Sequence, residues 1–431
     1  RLIDREPELY VDKDGRRCRF PKHKPKTYKL HESAKDRELA AEIRVLADRL
    51  YAVTHFQNPI EMPEVLRRRG ATEEHFLNGR LSSAKKIARF QIMKSLRSSR
   101  LALAEHIVGT IKATSDFDLD FHKHTATGDV LGRLEEIPGK LPINKLAIPL
   151  PEWLSDEAAH IEACAHDHAI YEKIYGLVRS MSDGREREKA SFLLKLVAKE
   201  NLVLAFDSRP ITLADIQRYI YQQKTDVRII IATGDPGSDR EGVLETFALG
   251  SAEKNVIGLC SDSLAEGVNL QQAAALVHLD MPSVVRIAEQ RVGRIDRLDS
   301  PHKSIEAWWP EDAEEFALSS DERFIERYET VDALLGSNLP LPDAMRAAEP
   351  KPVRAQELMK EYEKEMERGA WDGIQDAFEP VRVLVDGPTA LVDGNTYEHY
   401  RKVTARVLSR VSLVKSDTPW AFFCLAGGEF H

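Results

Sequence analysis

The chain has 431 residues, 42% hydrophobic and 30% charged, enough for two or three domains that each bury a core. No apolar run approaches the roughly 20 residues needed to cross a bilayer. The charged opening Arg1-Leu2-Ile3-Asp4-Arg5-Glu6 is not signal-like, and Cys18, Cys164, Cys260 and Cys424 form no CxxC pair, so the expectation is a cytoplasmic protein with no membrane partner, disulfide framework or Cys-rich zinc site. A net charge of −9 disfavours a polyanionic partner only if it is evenly spread; residues 79–112 carry eight basic side chains against one acid, Glu105.

Residues 1–30 are basic, with turn signals at Asp14-Gly15, Pro21 and Pro25, and read as an extended connector. From Ser33 to Val53 the spacing of Leu39, Ile43, Leu46 and Leu50 predicts a helix. A second helical pattern covers 83–112, with Ile87, Phe90, Met93, Leu101, Ala104 and Ile107 as its apolar members. Lys86, Arg89, Arg97 and Arg100 fall near one face of it, because eleven residues make about three turns. That stripe has two readings, a solvated helix face or a set of phosphate contacts. Residues 113–155 show no clear period, and 156–200 return to helix.

At Asn201 the texture changes. Short apolar runs at 202–206, 227–232, 256–260 and 275–279 alternate with helices near 212–222, 240–249 and 284–293. That alternation predicts an α/β fold with a parallel sheet, and the nearly continuous apolar runs imply burial on both faces. Pro340, Pro342, Pro350 and Pro352 mark a linker, followed by a charged helix over 355–368 and a small α+β segment holding Val381 to Val385. The expected organisation is a connector and helix at 1–60, a helical insertion at 61–184, the sheet-bearing lobe at 185–335, and a linker with accessory segment at 336–431.

The stretch 290–297 reads Gln-Arg-Val-Gly-Arg-Ile-Asp-Arg. Arg294 and Arg297 follow a glycine that allows close backbone approach. Two such permanently charged forks suit the charge that builds on a γ-phosphate during phosphoryl transfer; alone, the octapeptide would also serve as a salt-bridged surface helix. Upstream, directly after a predicted buried strand, lies Cys260-Ser261-Asp262-Ser263-Leu264-Ala265-Glu266-Gly267-Val268-Asn269-Leu270-Gln271. A polar loop at the carboxyl end of a parallel strand is where open α/β sheets bind ligands.

Together these stretches resemble motifs V and VI of superfamily-2 helicases in the Swi/Snf-like form, closest to the bacterial RapA/HepA branch. Leu96-Arg97-Ser98-Ser99-Arg100-Leu101-Ala102-Leu103, Leu202 to Ser208, and Thr233-Gly234 with Arg240 and Phe247 resemble further landmarks in family order. The resemblance implies a RecA-like lobe with Arg294 and Arg297 as arginine fingers and with Gln290, Glu266 and Gly267 lining the nucleotide cleft. It implies that Ser208, Thr233, Ser261 and Ser263 approach a nucleic-acid backbone, with ATP and Mg2+ as substrate and cofactor. The implied substrate is duplex DNA, translocated upon without strand separation. RapA-like relatives bind RNA polymerase and related bacterial ATPases serve anti-phage defence, so both kinds of protein partner are open.

No GxxxxGK[ST] loop is present: Gly139-Lys140 is followed by Leu141, with Leu134 where the first glycine belongs. Asp156-Glu157-Ala158-Ala159-His160 lacks a preceding apolar strand and is not a DExH box. The chain thus reads as beginning where a first motor lobe would end, and alone it is expected not to hydrolyse ATP. A non-catalytic scaffold lobe and a strand-separating helicase acting on DNA or RNA are the alternatives. His160, Cys164 and His168 share a helical face, with His122, His124 and His166 as possible neighbours; among fourteen histidines such clusters arise by chance, and no metal site is expected.

Overall fold

A computed structural model of the chain describes residues 10–11, 17–18, 20–68, 70–119, 127–235, 238–265, 269–282, 285–297 and 300–318. The linker and accessory segment expected at 336–431 lie outside them. Two short strands, β1 (Tyr10–Val11) and β2 (Arg17–Cys18), pair antiparallel. The rest builds one six-stranded sheet and a helical subdomain.

The sheet contains β3 (Lys22–Lys29), β4 (Leu202–Phe206), β5 (Arg228–Ala232), β6 (Val256–Cys260), β7 (Ala275–His278) and β8 (Ser304–Glu311), in the order β3-β8-β7-β4-β6-β5. Every neighbouring pair is parallel. Residues 22–29, read from the sequence as part of an extended connector, are extended and form the edge strand, paired along their length with β8.

Alternation along a strand sends successive side chains to opposite faces. Leu202, Leu204 and Phe206 pack with Val243 and Phe247 of α10 (Arg240–Phe247) and with Ala288 and Val292 of α11 (Val285–Val292). Val203 and Ala205 pack on the other face with Leu193 and Val197 of α8 (Gly184–Glu200) and with Leu213, Ile216 and Ile220 of α9 (Pro210–Gln222). A parallel sheet with helices on both faces is the RecA-like architecture expected from the strand–helix alternation. Phe206 is opposite Cys260 on one side and His278 on the other, and Ala232 is opposite Cys260, so four strand ends finish level and their loops share one edge.

The helical subdomain is built from α1 (Ala34–Ala47), α2 (Glu64–Arg68), α3 (Glu73–Ser98), α4 (Arg100–Asp116), α5 (Val130–Glu136), α6 (Glu152–Ser155) and α7 (Glu157–Ser180). Its core includes Ile43, Leu50, Ile92, Leu96, Leu101, Ile107 and Ile174. The single helix expected over 83–112 is two. Ser99 leaves the helical region (φ −163°, ψ 159°), and its hydroxyl accepts from the Ala102 N–H as the N-cap of α4. A serine offers the chain a cap in place of the next helical turn.

Candidate functional site

Four loops meet at the carboxyl edge of the sheet. Three of them begin by extending the backbone ladder: Asp207 N donates to Cys260 O at 3.1 Å, Ser261 N to Ala232 O at 2.9 Å, and Leu279 N to Phe206 O at 2.8 Å. Of the four side chains expected at a nucleic-acid backbone, Ser261 and Ser263 share a hydroxyl contact of 2.7 Å. Thr233 is close by, since a Cβ on the neighbouring Gly234 would come within 3.3 Å of Ser263 Cβ. Ser208 follows β4, where its N–H donates to Asp280 Oδ2 at 3.0 Å and its buried Oγ has no hydrogen-bond partner among the described residues.

Behind these loops sits Arg291, fully buried on α11. Its Nη1 donates to Asp280 Oδ1 at 2.8 Å and its Nε to Asp262 Oδ1 at 2.7 Å. Burial opposes both ionised forms, but the carboxylates outweigh it for Arg291, whose pKa is raised further, and the guanidinium holds the Asp280 carboxyl well below the usual range. His278 is pushed well below its ordinary value, first by burial and then by Arg291, and stays neutral. One buried cation therefore joins the loops after β6 and β7 to α11, and through Asp280 it reaches Ser208.

Gly293 does allow a close approach, but to its own helix: a Cβ there would lie 2.8 Å from Glu289 O. The chain then turns through Arg294 and Arg297. Arg294 is buried, with Nε on Gln290 O at 3.1 Å, and its carbonyl accepts from Leu270 N at 3.0 Å, tying the motif-bearing loop to the end of α11. Arg297 is half-buried, and its buried Nε has no hydrogen-bond partner among the described residues. Gln290 is half-buried on α11; Glu266 and Gly267 lie outside the described residues.

The basic stripe on residues 86–100 does not exist as one face. Arg97 is buried and pairs with Asp312 at 2.5 Å. Arg100 belongs to α4, with Nη1 on Met181 O at 2.8 Å and its guanidinium 5.2 Å from the Phe117 ring centroid. Placing both on a phosphate-tracking stripe is corrected by the helix break at Ser99, which re-aims Arg100, and by Asp312, which occupies Arg97. Lys86 is exposed, and Arg89 reaches Asp48 at 2.7 Å.

Sequence reasoning missed Arg291 and a second buried group around Asp207. Ser98 Oγ donates to Asp207 Oδ1 at 2.7 Å, Thr212 Oγ1 contacts both Ser98 Oγ and Ser99 Oγ at 2.7 Å, and Lys189 Nζ donates to Ser98 O at 2.6 Å. Burial, and then the charge of Asp280, pushes the Asp207 carboxyl up to about 7. Burial, and then Arg185, brings Lys189 down to about 8. The available signal was a carboxylate directly after a fully apolar strand, Phe206-Asp207-Ser208, at the edge where α/β sheets carry their sites.

His160 and Cys164 contact each other at 3.7 Å, and His160 Nδ1 accepts from Gly139 N at 3.2 Å. Among the described residues no three His, Cys, Asp or Glu side chains are grouped to hold a metal; His122 and His124 fall outside them. No helix among them is long and apolar enough to cross a membrane.

Residues 188–299 match the helicase conserved C-terminal domain. The matched span begins within α8 and includes Arg294 and Arg297. The C-terminal part of the Fun30 ATPase domain is similar at 11% identity and a TM-score of 0.34, over 80% of this chain and 99% of that one. The Pyrococcus furiosus Hef helicase domain is similar at 12% identity and a TM-score of 0.35, over 68% and 56%. Domain 2 of the DEAD-box helicase Mss116p, solved bound to an RNA duplex, is similar at 13% identity and a TM-score of 0.28, over 37% and 61%. No curated protein matches the sequence.

Proposed function

We propose that this chain supplies the second RecA-like lobe of an ATP-driven motor of superfamily 2, Swi/Snf-like and nearest the RapA/HepA branch, that moves along duplex DNA. The observation that carries the reading is the division of labour on α11. Arg291 is locked between Asp262 and Asp280, and the next two arginines follow on a turn where Arg297 keeps a buried Nε with no hydrogen-bond partner among the described residues. A buried guanidinium N–H without an acceptor is costly, and a phosphate oxygen is the acceptor its fork geometry suits.

In this reading Arg294 and Arg297 meet the γ-phosphate of ATP, beside Gln290, Glu266 and Gly267. The phosphate cradle and most Mg2+ ligands come from a partner RecA-like lobe, since this sequence has no GxxxxGK[ST]. Ser208, Thr233, Ser261 and Ser263 hold one strand's backbone. The Asp280–Arg291–Asp262 bridge makes the arginine turn and those loops a single rigid piece, so that nucleotide-driven closure of the lobes shifts the backbone grip. ATP supplies the driving step when bound; this chain's residues position and stabilise charge.

The test is turnover in the full-length protein. Arg294→Ala and Arg297→Ala are each expected to cut DNA-stimulated ATP turnover by about 10³-fold, within the range for arginine fingers, with nucleotide affinity little changed. Turnover within about threefold of wild type in both variants rejects the assignment.

A further inference from the structure

Away from the sheet edge, a cleft of about 340 Å³ opens where α4, α7, α8 and α9 meet. Each helix contributes one arginine: Arg100, Arg179, Arg187 and Arg218. Two of the four are fixed. Arg218 donates to the carbonyls of Phe117 and Asp118 and to Asp215, and Arg100 is held by Met181 O. Tyr219 forms the floor; its hydroxyl accepts from Arg218 Nη2 at 3.1 Å and from Arg100 Nη2 at 3.5 Å, and donates to Asp183 at 3.2 Å.

The other two arginines are exposed. Arg187 stacks 4.6 Å from the Tyr219 centroid and holds Asp183 through Nε at 2.8 Å, and among the described residues its terminal nitrogens make no ion pair. Arg179 makes no ion pair among the described residues. Three aspartates share the lining: Asp183 is committed to Arg187 and Asp116 to the Tyr175 hydroxyl, while the exposed Asp118 adds one further carboxylate, so three carboxylates stand against four guanidiniums. Spare donors therefore exceed spare acceptors in a polar cavity, the arrangement that takes an anion with several oxygens.

We infer that this cleft binds phosphate oxygens, and that they belong to the backbone of the nucleic acid gripped at the sheet edge. The location supplies the link. Helix α9 starts at Pro210, two residues after Ser208, and Arg218 lies eight residues further on, about 12 Å at 1.5 Å per residue. A backbone that touches Ser208 and lies along α9 would reach the cleft within that distance. The identity of the occupant rests on the function proposed above; the excess of donors does not.

The experiment compares the full protein with the double variant Arg179→Gln/Arg187→Gln, reading duplex affinity against salt by fluorescence anisotropy and inorganic tripolyphosphate binding by calorimetry. Loss of two phosphate contacts is expected to flatten the log K against log salt plot by about two units, with the melting temperature held. The control Arg228→Gln/Lys254→Gln, at the amino edge of the sheet, is expected to leave the slope unchanged. Arg179→Gln alone, expected to flatten it by about one unit, keeps the test open if the double variant unfolds. Wild-type duplex binding with an unchanged slope, together with unchanged tripolyphosphate binding, in these variants overturns the cleft while leaving the proposed function standing. Tripolyphosphate binding that the double variant loses, with no change in duplex slope, overturns the backbone as occupant. A wild-type protein that binds no duplex at all overturns both.

Discussion

Two clusters of arginine meet in the folded chain and differ in what their charge is used for. At the junction of α3 and α8, Arg97 and Arg185 converge on Asp312, Arg185 also pairs with Glu32, and Arg185 Nη2 donates to Arg97 O at 2.9 Å. Every strong donor there is answered from within the protein. On α11 one arginine, Arg291, is answered by two carboxylates, and the turn beyond it ends in Arg297 with a buried Nε unanswered among the described residues. The first cluster fastens the helical subdomain to the sheet; the second uses one fastened arginine to aim another. What marks the candidate site is the donor left over, not the density of basic residues.

The largest effect expected from this difference comes from removing the anchor. Arg291→Ala leaves Asp280 and Asp262 facing each other at the loops with no cation between them, and breaking a buried pair this way costs about 3–5 kcal/mol. Denaturant unfolding measures it; a loss below about 1 kcal/mol removes Arg291 as the brace. Arg97→Ala is expected to cost less, about 2 kcal/mol, because Arg185 still holds Asp312. It should leave the salt dependence of nucleic-acid binding unchanged, since a buried ion pair releases no counterions. A flatter salt slope in Arg97→Ala would erase the contrast between the clusters.

The contrast also explains what the sequence could tell. Strand–helix alternation after Asn201 was legible because local propensity and burial on both faces agree there. The 290–297 stretch was legible as chemistry because its spacing is local. The fate of Arg97 was not: its counter-charge, Asp312, lies 215 residues away in the chain, and no local pattern carries that information. The break at Ser99 was hidden for another reason. Apolar spacing continues through it on both sides, and only the serine cap, visible once the backbone turns, separates α3 from α4.

Asp207 sits between the clusters and offers a sharper test by pH. With its carboxyl pushed up to about 7 from the usual 3.8, the folded protein holds a proton over this window that the unfolded chain has lost. Its stabilising contribution is therefore complete below about 4 and disappears as pH rises through about 7. Asp207→Asn keeps an acceptor for Ser98 Oγ and Arg209 N, which both bond Oδ1, and puts its amide N–H₂ where Oδ2 has no hydrogen-bond partner among the described residues. Urea unfolding at about pH 5 and about pH 7.5 should show the wild type losing on the order of 1–2 kcal/mol more than the variant across that span. Equal losses in the two proteins would mean that the carboxyl titrates normally.

The smallest effect is expected at the two stripe residues that remain on the surface of α3. Lys86 is exposed, and Arg89 spends one terminal nitrogen on Asp48 in a pair that is itself open to water. Neither anchors the fold, so Lys86→Gln/Arg89→Gln should change stability by no more than about 0.5 kcal/mol. Their separation from Arg97 and Arg100 limits what they can do to nucleic acid. If they touch phosphates, the salt slope flattens by at most about two units, half the effect of a four-residue stripe. We expect the lower end of that range, a change near zero for Arg89 and about one for Lys86, because an arginine already paired must give up Asp48 to reach a phosphate. Single variants measured across a salt series resolve the two contributions. A slope change of two units from Arg89→Gln alone would show that its surface pair with Asp48 gives way completely to a phosphate, and would return α3 to the nucleic-acid interface from which the burial of Arg97 removes its last turn.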